Sequence, residues 1–204
     1  MKVVIITVPM KEPKEVDSIT YPVEGNKSIE YGKPVRCPIN GVLAKTLKKD
    51  EQVRLIYIMS TSKNSKCEEN KKNFIEEIEG INTEIGAILS YDTVEIEFSA
   101  TNQAYEKLIT DLTDKIPDEA EIFVDFTFGS KPEALSLFCA LRFVEEFCDA
   151  VVQFIVYGKV EFPKKENPML YDSTSLYYLF KLMGTIRNAD KETASKLLKD
   201  FFAL

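Results

Sequence analysis

The chain has 204 residues and 45% of them are apolar, enough for one domain with a sizeable core, or for that domain and a small appendage. A formal net charge of −7 excludes a surface built to coat long DNA or RNA, but leaves room for a pocket that takes a small polyanion. There is no histidine, which excludes Ser-His-Asp and Cys-His catalysis and histidine-ligated metals, so any chemistry falls to Lys, Tyr, Ser, Thr, carboxylates or backbone groups.

Residues 2–8 (KVVIITV) form a β-branched run and read as a central strand. The first ten residues are too short to span a bilayer and lack a cleavage pattern, so no membrane segment or signal peptide is expected. From Pro9 to Pro38 the pattern breaks at Pro13, Pro22, Gly25, Asn26, Gly32 and Pro34, which predicts a β-hairpin insertion or a functional loop after the first strand. Asn40 is a candidate cap for a helix over 41–49. Val53–Met59 reads as the second strand, and Ser60-Thr61-Ser62 leads into a charged helix that ends near Glu79. Within that helix, Lys63–Lys72 is interleaved with acids and amides and reads as a solvated face, with Lys63 and Lys66 near the preceding loop.

Thr93–Phe98 is the third strand. Residues 102–116 follow as an amphipathic helix with Tyr105, Leu108, Ile109, Leu112 and Ile116 on one face. Glu121–Phe126 is the fourth strand, 132–147 a buried helix, and Val151–Tyr157 the fifth strand. Residues 158–172 read as irregular, and helices are expected at 174–187 and 190–203. The implied division is a Rossmann-like unit over 1–172 and a helical appendage over 173–204. Alternating strands and helices at this spacing predict an α/β fold: an open, mostly parallel sheet with helices on both faces. Cys37, Cys67, Cys139 and Cys148 form no CxxC pair, and Cys139 and Cys148 lie in apolar sequence. They predict a reducing, cytoplasmic setting without disulfides or zinc.

Ligands of such sheets bind at the carboxyl ends of the strands, which gathers three loops: Val8-Pro9-Met10, Ser60-Thr61-Ser62 and Phe126–Lys131. The last is the most informative. A strand ends in Asp125-Phe126-Thr127-Phe128-Gly129-Ser130-Lys131-Pro132, and a helix begins at once. Free N–H groups, the helix dipole and the Lys131 ammonium there make an anion site. No GxGxxG follows the first strand, and there is no GxxxxGK[ST], so neither dinucleotide nor P-loop binding is indicated, and no cofactor or metal is expected. Asp125 reads as an anchor of its own loop before it reads as a catalytic carboxylate. Of Phe126 and Phe128, Phe128 is the better candidate to stack on a base, with Met10, Tyr21 or Tyr31 from the long first loop as lesser ones. The apolar positions of the terminal helices, among them Leu176, Leu179, Met183, Leu198 and Phe202, exceed what one helical hairpin buries. They are expected to pack on the sheet, form a dimer interface or face an effector domain.

On these residues the chain resembles the CARF (CRISPR-associated Rossmann fold) domains of type III CRISPR antiviral systems. Val124–Lys131 looks like the family's strand followed by a D-x-T-x-G-x-K/R turn. Tyr21–Lys27 looks like the hairpin of one subfamily. Asp172-Ser173-Thr174 and the leucine-rich helix after it resemble the family's C-terminal region. The resemblance implies a homodimer that binds cyclic tetra- or hexa-adenylate in a cleft across its two-fold axis and regulates an effector. It places Thr127, Gly129, Ser130 and Lys131 on ribose or phosphate, with Val8, Pro9, Met10 and the helix start at Asn40-Gly41 completing the pocket. The alternatives are a metal-independent ring nuclease, in which a ribose 2′-OH attacks its own phosphate and Lys131 stabilises charge, and a generic mononucleotide-binding domain. Ring-cleaving relatives often carry a polar residue in the first loop. Pro9-Met10 stands there instead, which argues against cleavage. The apolar end Phe201-Phe202-Ala203-Leu204 fits a chain trimmed from a longer effector.

Overall fold

A computed structural model describes residues 1–97, 101–161 and 166–202. Seven strands form one sheet: β1 (Lys2–Thr7), β2 (Val23–Glu24), β3 (Gln52–Ser60), β4 (Ile88–Ile96), β5 (Glu121–Asp125), β6 (Val151–Glu161) and β7 (Glu166–Asp172). Six helices surround it: α1 (Pro38–Thr46), α2 (Cys67–Asn82), α3 (Asn102–Thr113), α4 (Lys131–Phe147), α5 (Thr174–Thr185) and α6 (Lys191–Phe201). The strand order is β2-β7-β6-β5-β1-β3-β4, parallel throughout except for the antiparallel β6–β7 pair. The fold is therefore α/β with a mostly parallel sheet, consistent with a Rossmann-like architecture.

Period two along the strands sorts the core into two layers. Val4 and Ile6 of β1 and Leu55 and Tyr57 of β3 face α1, α2 and the first loop. Val3 and Ile5, with Ile56 and Ile58, face α3 and α4 on the other side. All six residues of β1 are buried, as a central strand with helices on both faces requires. The edge strand β4 instead presents Asp92 and Glu95, charges that discourage edge-to-edge pairing. Phe98, the expected end of this strand, lies outside the described residues.

The expected hairpin after β1 exists only as a single antiparallel bridge between Ile19 and Val35. Pro22 and Pro34 have no N–H to give a ladder. The two-residue β2 instead pairs with β7, where Leu170 N–H donates to the Pro22 carbonyl at 2.8 Å. Two short 3-10 turns and the burial of Val16, Tyr21, Ile29 and Val35 order the rest of the loop. Each buried aliphatic side chain there is worth about 1.5–3 kcal/mol.

Two further boundaries differ from the sequence reading. The helix expected over 41–49 begins at Pro38, and Asn40 lies inside it rather than capping it. Residues 158–172, expected to be irregular, carry the end of β6 and all of β7, although 162–165 lie outside the described residues. The breakers Asn167 (φ 48°) and Pro168 sit where the β6–β7 register shifts, so a bulge absorbs them and the pairing survives.

The first helix of the expected appendage, α5, packs on the core through one side chain. Tyr177 of α5 is fully buried, stacks on Phe138 at 5.9 Å and donates to Glu145 Oε2 at 2.7 Å. Glu145, its side chain 2% exposed, also meets Lys181 and Arg142 at 3.8 and 3.6 Å. The outer surface is apolar: Phe147 of α4 is 71% exposed and Phe180 of α5 is 61% exposed. No residue of α6 is buried. Cys139 is exposed on α4 rather than in the apolar setting its neighbours imply, and all four cysteines are unpaired.

Gly158 shows how tightly β6 meets α1. A Cβ there would stand 2.6 Å from Pro38 Cγ and 3.2 Å from Tyr21 Cε1, and the Gly158 N–H donates to Thr127 Oγ1 at 2.8 Å. Gly158→Ala is expected to cost about 1–3 kcal/mol by overpacking, read as a lowered urea midpoint at unchanged m-value.

Candidate functional site

The chain runs outward from β1 through β3 to β4, then crosses back to β5 on the other flank of β1. Connections on either side of the β1–β5 boundary thus diverge, and a crevice opens beyond the carboxyl ends of those strands. A cavity of about 420 Å³ occupies it. Its walls come from the β1 exit (Val8, Pro9, Met10, Lys11), the end of β3 (Ser60), the β5–α4 turn (Thr127–Ser130) and the end of β6 (Tyr157, Gly158, Val160). The first loop closes it with Glu15, Val16, Asp17, Ile19 and Tyr21.

Asp125 holds this end of the sheet together. It is fully buried, and its Oδ1 accepts from Thr127 N–H at 2.9 Å. Its Oδ2 accepts from Ile39 N–H at 3.0 Å, in the first turn of α1. Cys37, the residue before α1, offers no side-chain cap. The acceptors come from elsewhere in the fold: Asp125 on Ile39, and Glu77 of α2 on Arg36 N–H (2.7 Å) and Cys37 N–H (3.1 Å). Asp125 therefore anchors its own loop, as the sequence suggests, and α1 as well. The same burial raises the Cys37 thiol well above its usual value, so it is an inert thiol.

Thr7 completes the joint. Its hydroxyl donates to the Asp125 carbonyl at 3.2 Å and accepts from Phe128 N–H at 3.2 Å. Gly129 lies so close that a Cβ would meet Thr7 Cγ2 at 3.0 Å. Ser130 then starts α4 with a capping box: Ser130 Oγ accepts from Glu133 N–H at 3.3 Å, and Ser130 N–H donates to Glu133 Oε2. The helix N-terminus expected to offer free N–H groups to an anion thus already holds the chain's own carboxylate.

The first strand's exit is strapped to α2. Asn70 is buried, and its Nδ2 donates to the carbonyls of Pro9 and Lys11, each at 2.8 Å. Lys66 N–H donates to the Met10 carbonyl at 3.0 Å, and the Cys67 thiol donates to the Val8 carbonyl at 3.5 Å. Phe128 sits between cavity and core, with its ring 5.9 Å from that of Phe74 and 5.6 Å from the Lys11 ammonium. Phe126 turns to the other face, against Phe138 and Tyr157.

Of the residues expected at the ligand, the structure brings Val8, Pro9, Met10, Ser60, Thr127, Phe128, Gly129 and Ser130 together around the cavity, with Tyr21. Five others do not line it. Asn40 is buried and ties α1 to α2 through the Phe74 carbonyl (3.1 Å) and Glu77 (2.9 Å). Gly41 packs under Tyr31, which likewise stands away from the cavity. Thr61 extends the β3–β4 pairing through the Ile96 carbonyl, and the Ser62 carbonyl closes a turn onto Ser65. Lys131, the first residue of α4, is exposed. Sequence reasoning missed Lys11, Glu15, Asp17, Tyr157, Val160 and Glu133. Only Glu133 had a local signal, the S-x-x-E spacing after Ser130.

Among the described residues no group of acids, cysteines or histidines could hold a metal ion, and no helix is long and apolar enough to cross a membrane. No protein-family model and no curated protein sequence matches the chain.

Burial raises the Asp125 carboxyl to about 6, against the opposing hydrogen bonds from Thr127 and Ile39. The folded chain therefore keeps a proton that the unfolded chain, with a value of about 4, has released. Between those values stability falls as pH rises, and above about 6 this contribution is constant. Asp125→Asn is expected to remove about 2–3 kcal/mol of that pH dependence, read as the difference between wild-type and variant urea stabilities from pH 4 to 7. Parallel curves would show that Asp125 ionises normally.

Proposed function

We propose that this protein is a nucleotide-sensing module that binds a cyclic oligoadenylate, of four or six units, between two copies of the chain and passes the signal to an effector. The observation that carries the reading is the cavity at the sheet's switch point, floored by the Asp125-x-Thr127-x-Gly129 turn and walled by Met10, Tyr21, Phe128 and Tyr157. A small aromatic pocket at this place in an open α/β sheet is where such folds take nucleotides. A ring is larger than this cavity, so the rest of it would lie over the strand-end loops, where Lys131 stands exposed. The apolar outer faces of α4 and α5 support contact with another protein surface, a second copy or an effector.

Binding is favoured over ring cleavage. Lys131 has no hydrogen bond or ion pair among the described residues to fix it against a scissile phosphate, and among the described residues the cavity wall carries one ammonium, that of Lys11. In-line attack needs both positioning and charge stabilisation, and neither is built here.

The test is incubation with cyclic tetra- and hexa-adenylate in EDTA, with chromatography of bound and free nucleotide. Retained intact ring is the expected outcome. Linear product ending in a 2′,3′-cyclic phosphate would make the protein a ring nuclease, and no binding of either ring would reject the reading. Phe128→Ala is expected to weaken ring binding by about 1–3 kcal/mol, the scale for a stacked base, in a calorimetric titration. Light scattering is expected to give twice the chain mass in the presence of the ring, and a monomer under those conditions would reject the shared ligand.

A further inference from the structure

The outward side of α4 carries an apolar row. Leu135, Cys139, Phe143 and Phe147 follow one another at intervals of four residues, which sets them along one ridge of the helix, and all four are exposed. The rings of Phe143 and Phe147 already stand together, with 4.9 Å between their centroids. Cysteine is among the residue types most often found fully buried, and here one lies open within an apolar row. The charges beside the row are mixed. Arg142, Lys181 and Arg187 share a groove with the two rings and Glu146, and the Glu145 side chain lies 3.6 Å from Arg142 and 3.8 Å from Lys181. Cations outnumber carboxylates at this flank of a chain whose net charge is −7, so two copies repel each other less here than their total charge implies.

The same helix starts at the cavity, where Ser130 and Glu133 of its capping box stand. A ring shared by two copies needs both cavities at one end of a two-fold axis. Both copies of α4 then begin at that end and run away from it in the same direction. Resting on the reading of the protein as a sensor with a shared ring, we propose that the two copies meet along this row, α4 beside α4 and parallel, with Cys139 facing its counterpart across the axis. Cys139 has the smallest side chain of the row, so the helices approach most closely there. Leu135 and Phe143 on either side of it then pack near their own counterparts, as a two-fold interface requires. Rows of this spacing pack at about −50° with axes about 8–10 Å apart. Lys131 lies about eight residues before Cys139, at about 1.5 Å per residue, so the two helix starts stand roughly 14 Å apart. The contact closes along the helices and opens as a cleft at the ring's end. An effector surface would cover the row without tying it to the ring, whereas a second copy does both.

The experiment is cross-linking of the whole chain by a short bismaleimide, with and without cyclic tetra- or hexa-adenylate, beside light scattering over a dilution series. Cys148→Ser is the starting chain, because Cys37 and Cys67 are buried and Cys139 is then the exposed thiol. A covalent dimer through Cys139 is expected with the ring present. When Cys139→Ser is added, Leu135→Cys chains are expected to link to one another, and Phe143→Cys chains likewise. Phe143→Glu is expected to weaken dimerisation at least about tenfold, the factor for one large apolar side chain lost from an interface. Its thermal midpoint is expected to stay unchanged, since Phe143 is exposed. A dimer without a Cys139 link, links that form only when Leu135→Cys and Phe143→Cys chains are mixed, or wild-type dimerisation in Phe143→Glu would each overturn the inference. The two readings fail separately. A chain that binds the ring as a dimer but gives no Cys139 link would keep the sensor and reject the α4 contact. A Cys139-linked, parallel dimer of a chain that binds neither ring would do the opposite.

Discussion

One buried carboxylate joins the parts of this fold that matter for its site. Asp125 ends β5, caps the first turn of α1 through Ile39 and fixes the Thr127 turn. Thr127 in turn accepts from Gly158 of β6, and Thr7 of β1 binds both the Asp125 carbonyl and Phe128. Three neighbouring strands, one helix and the turn before α4 are thereby held at a common point. The arrangement keeps an acid in a fully buried place with backbone and Thr127 side-chain donors and, among the described residues, no cation, and the cost appears as its raised pKa. Removing the carboxylate would leave Ile39 N–H and Thr127 N–H without their acceptor, a larger loss than any one contact.

The chemistry of the cavity follows from this geometry. With the turn pinned from below, Phe128 and Gly129 are set against the opening between β1 and β5, and Ser130 begins a helix whose first turn carries Glu133. That carboxylate caps the helix and lines the cavity at once. A helix N-terminus is an anion site only when its N–H groups are unclaimed. In this chain the S-x-x-E spacing claims one, the Ser130 N–H, for the Glu133 carboxylate.

The opposite flank of the molecule obeys a different logic. Tyr177 and the Glu145 side chain clamp α5 to α4, with Arg142 and Lys181 close enough to offset the acid. Beyond that clamp Leu135, Phe143 and Phe147 of α4 and Leu176, Phe180 and Met183 of α5 are exposed, and Phe143 and Phe147 share a groove with Arg142, Glu146, Lys181 and Arg187. A surface of this kind is costly to leave in water, and scattered single side chains would not need explaining as this group does. The cavity and the exposed phenylalanines are built on the two ends of α4: its capping box borders the cavity, and its last turns carry Phe143 and Phe147.

Much of the architecture was legible from residue order alone, because its signals are local. The unbroken β-branched run of β1, the 3.6-residue spacing of Leu108 and Leu112, and the strand-turn-helix at Val124–Pro132 each depend on neighbours a few residues apart. So does the position of Phe128 and Gly129 at a strand end, and hence their place at the cavity. The failures share a cause as well. The start of α1 was misplaced because its caps, Asp125 and Glu77, lie far along the chain. The strand β7 was missed because a bulge absorbs Asn167 and Pro168, which read as breakers when the pairing partner is unknown. The wall from Glu15 and Asp17 arises only when a proline-broken loop folds back over the strand ends and buries Val16, Ile29 and Val35. Residue order by itself determined the alternating elements and the turn at the centre of the site. The presence of Lys11, Glu15 and Asp17 at that site was decided by tertiary structure alone, because it depends on which distant side chains the packing of the first loop brings to the cavity.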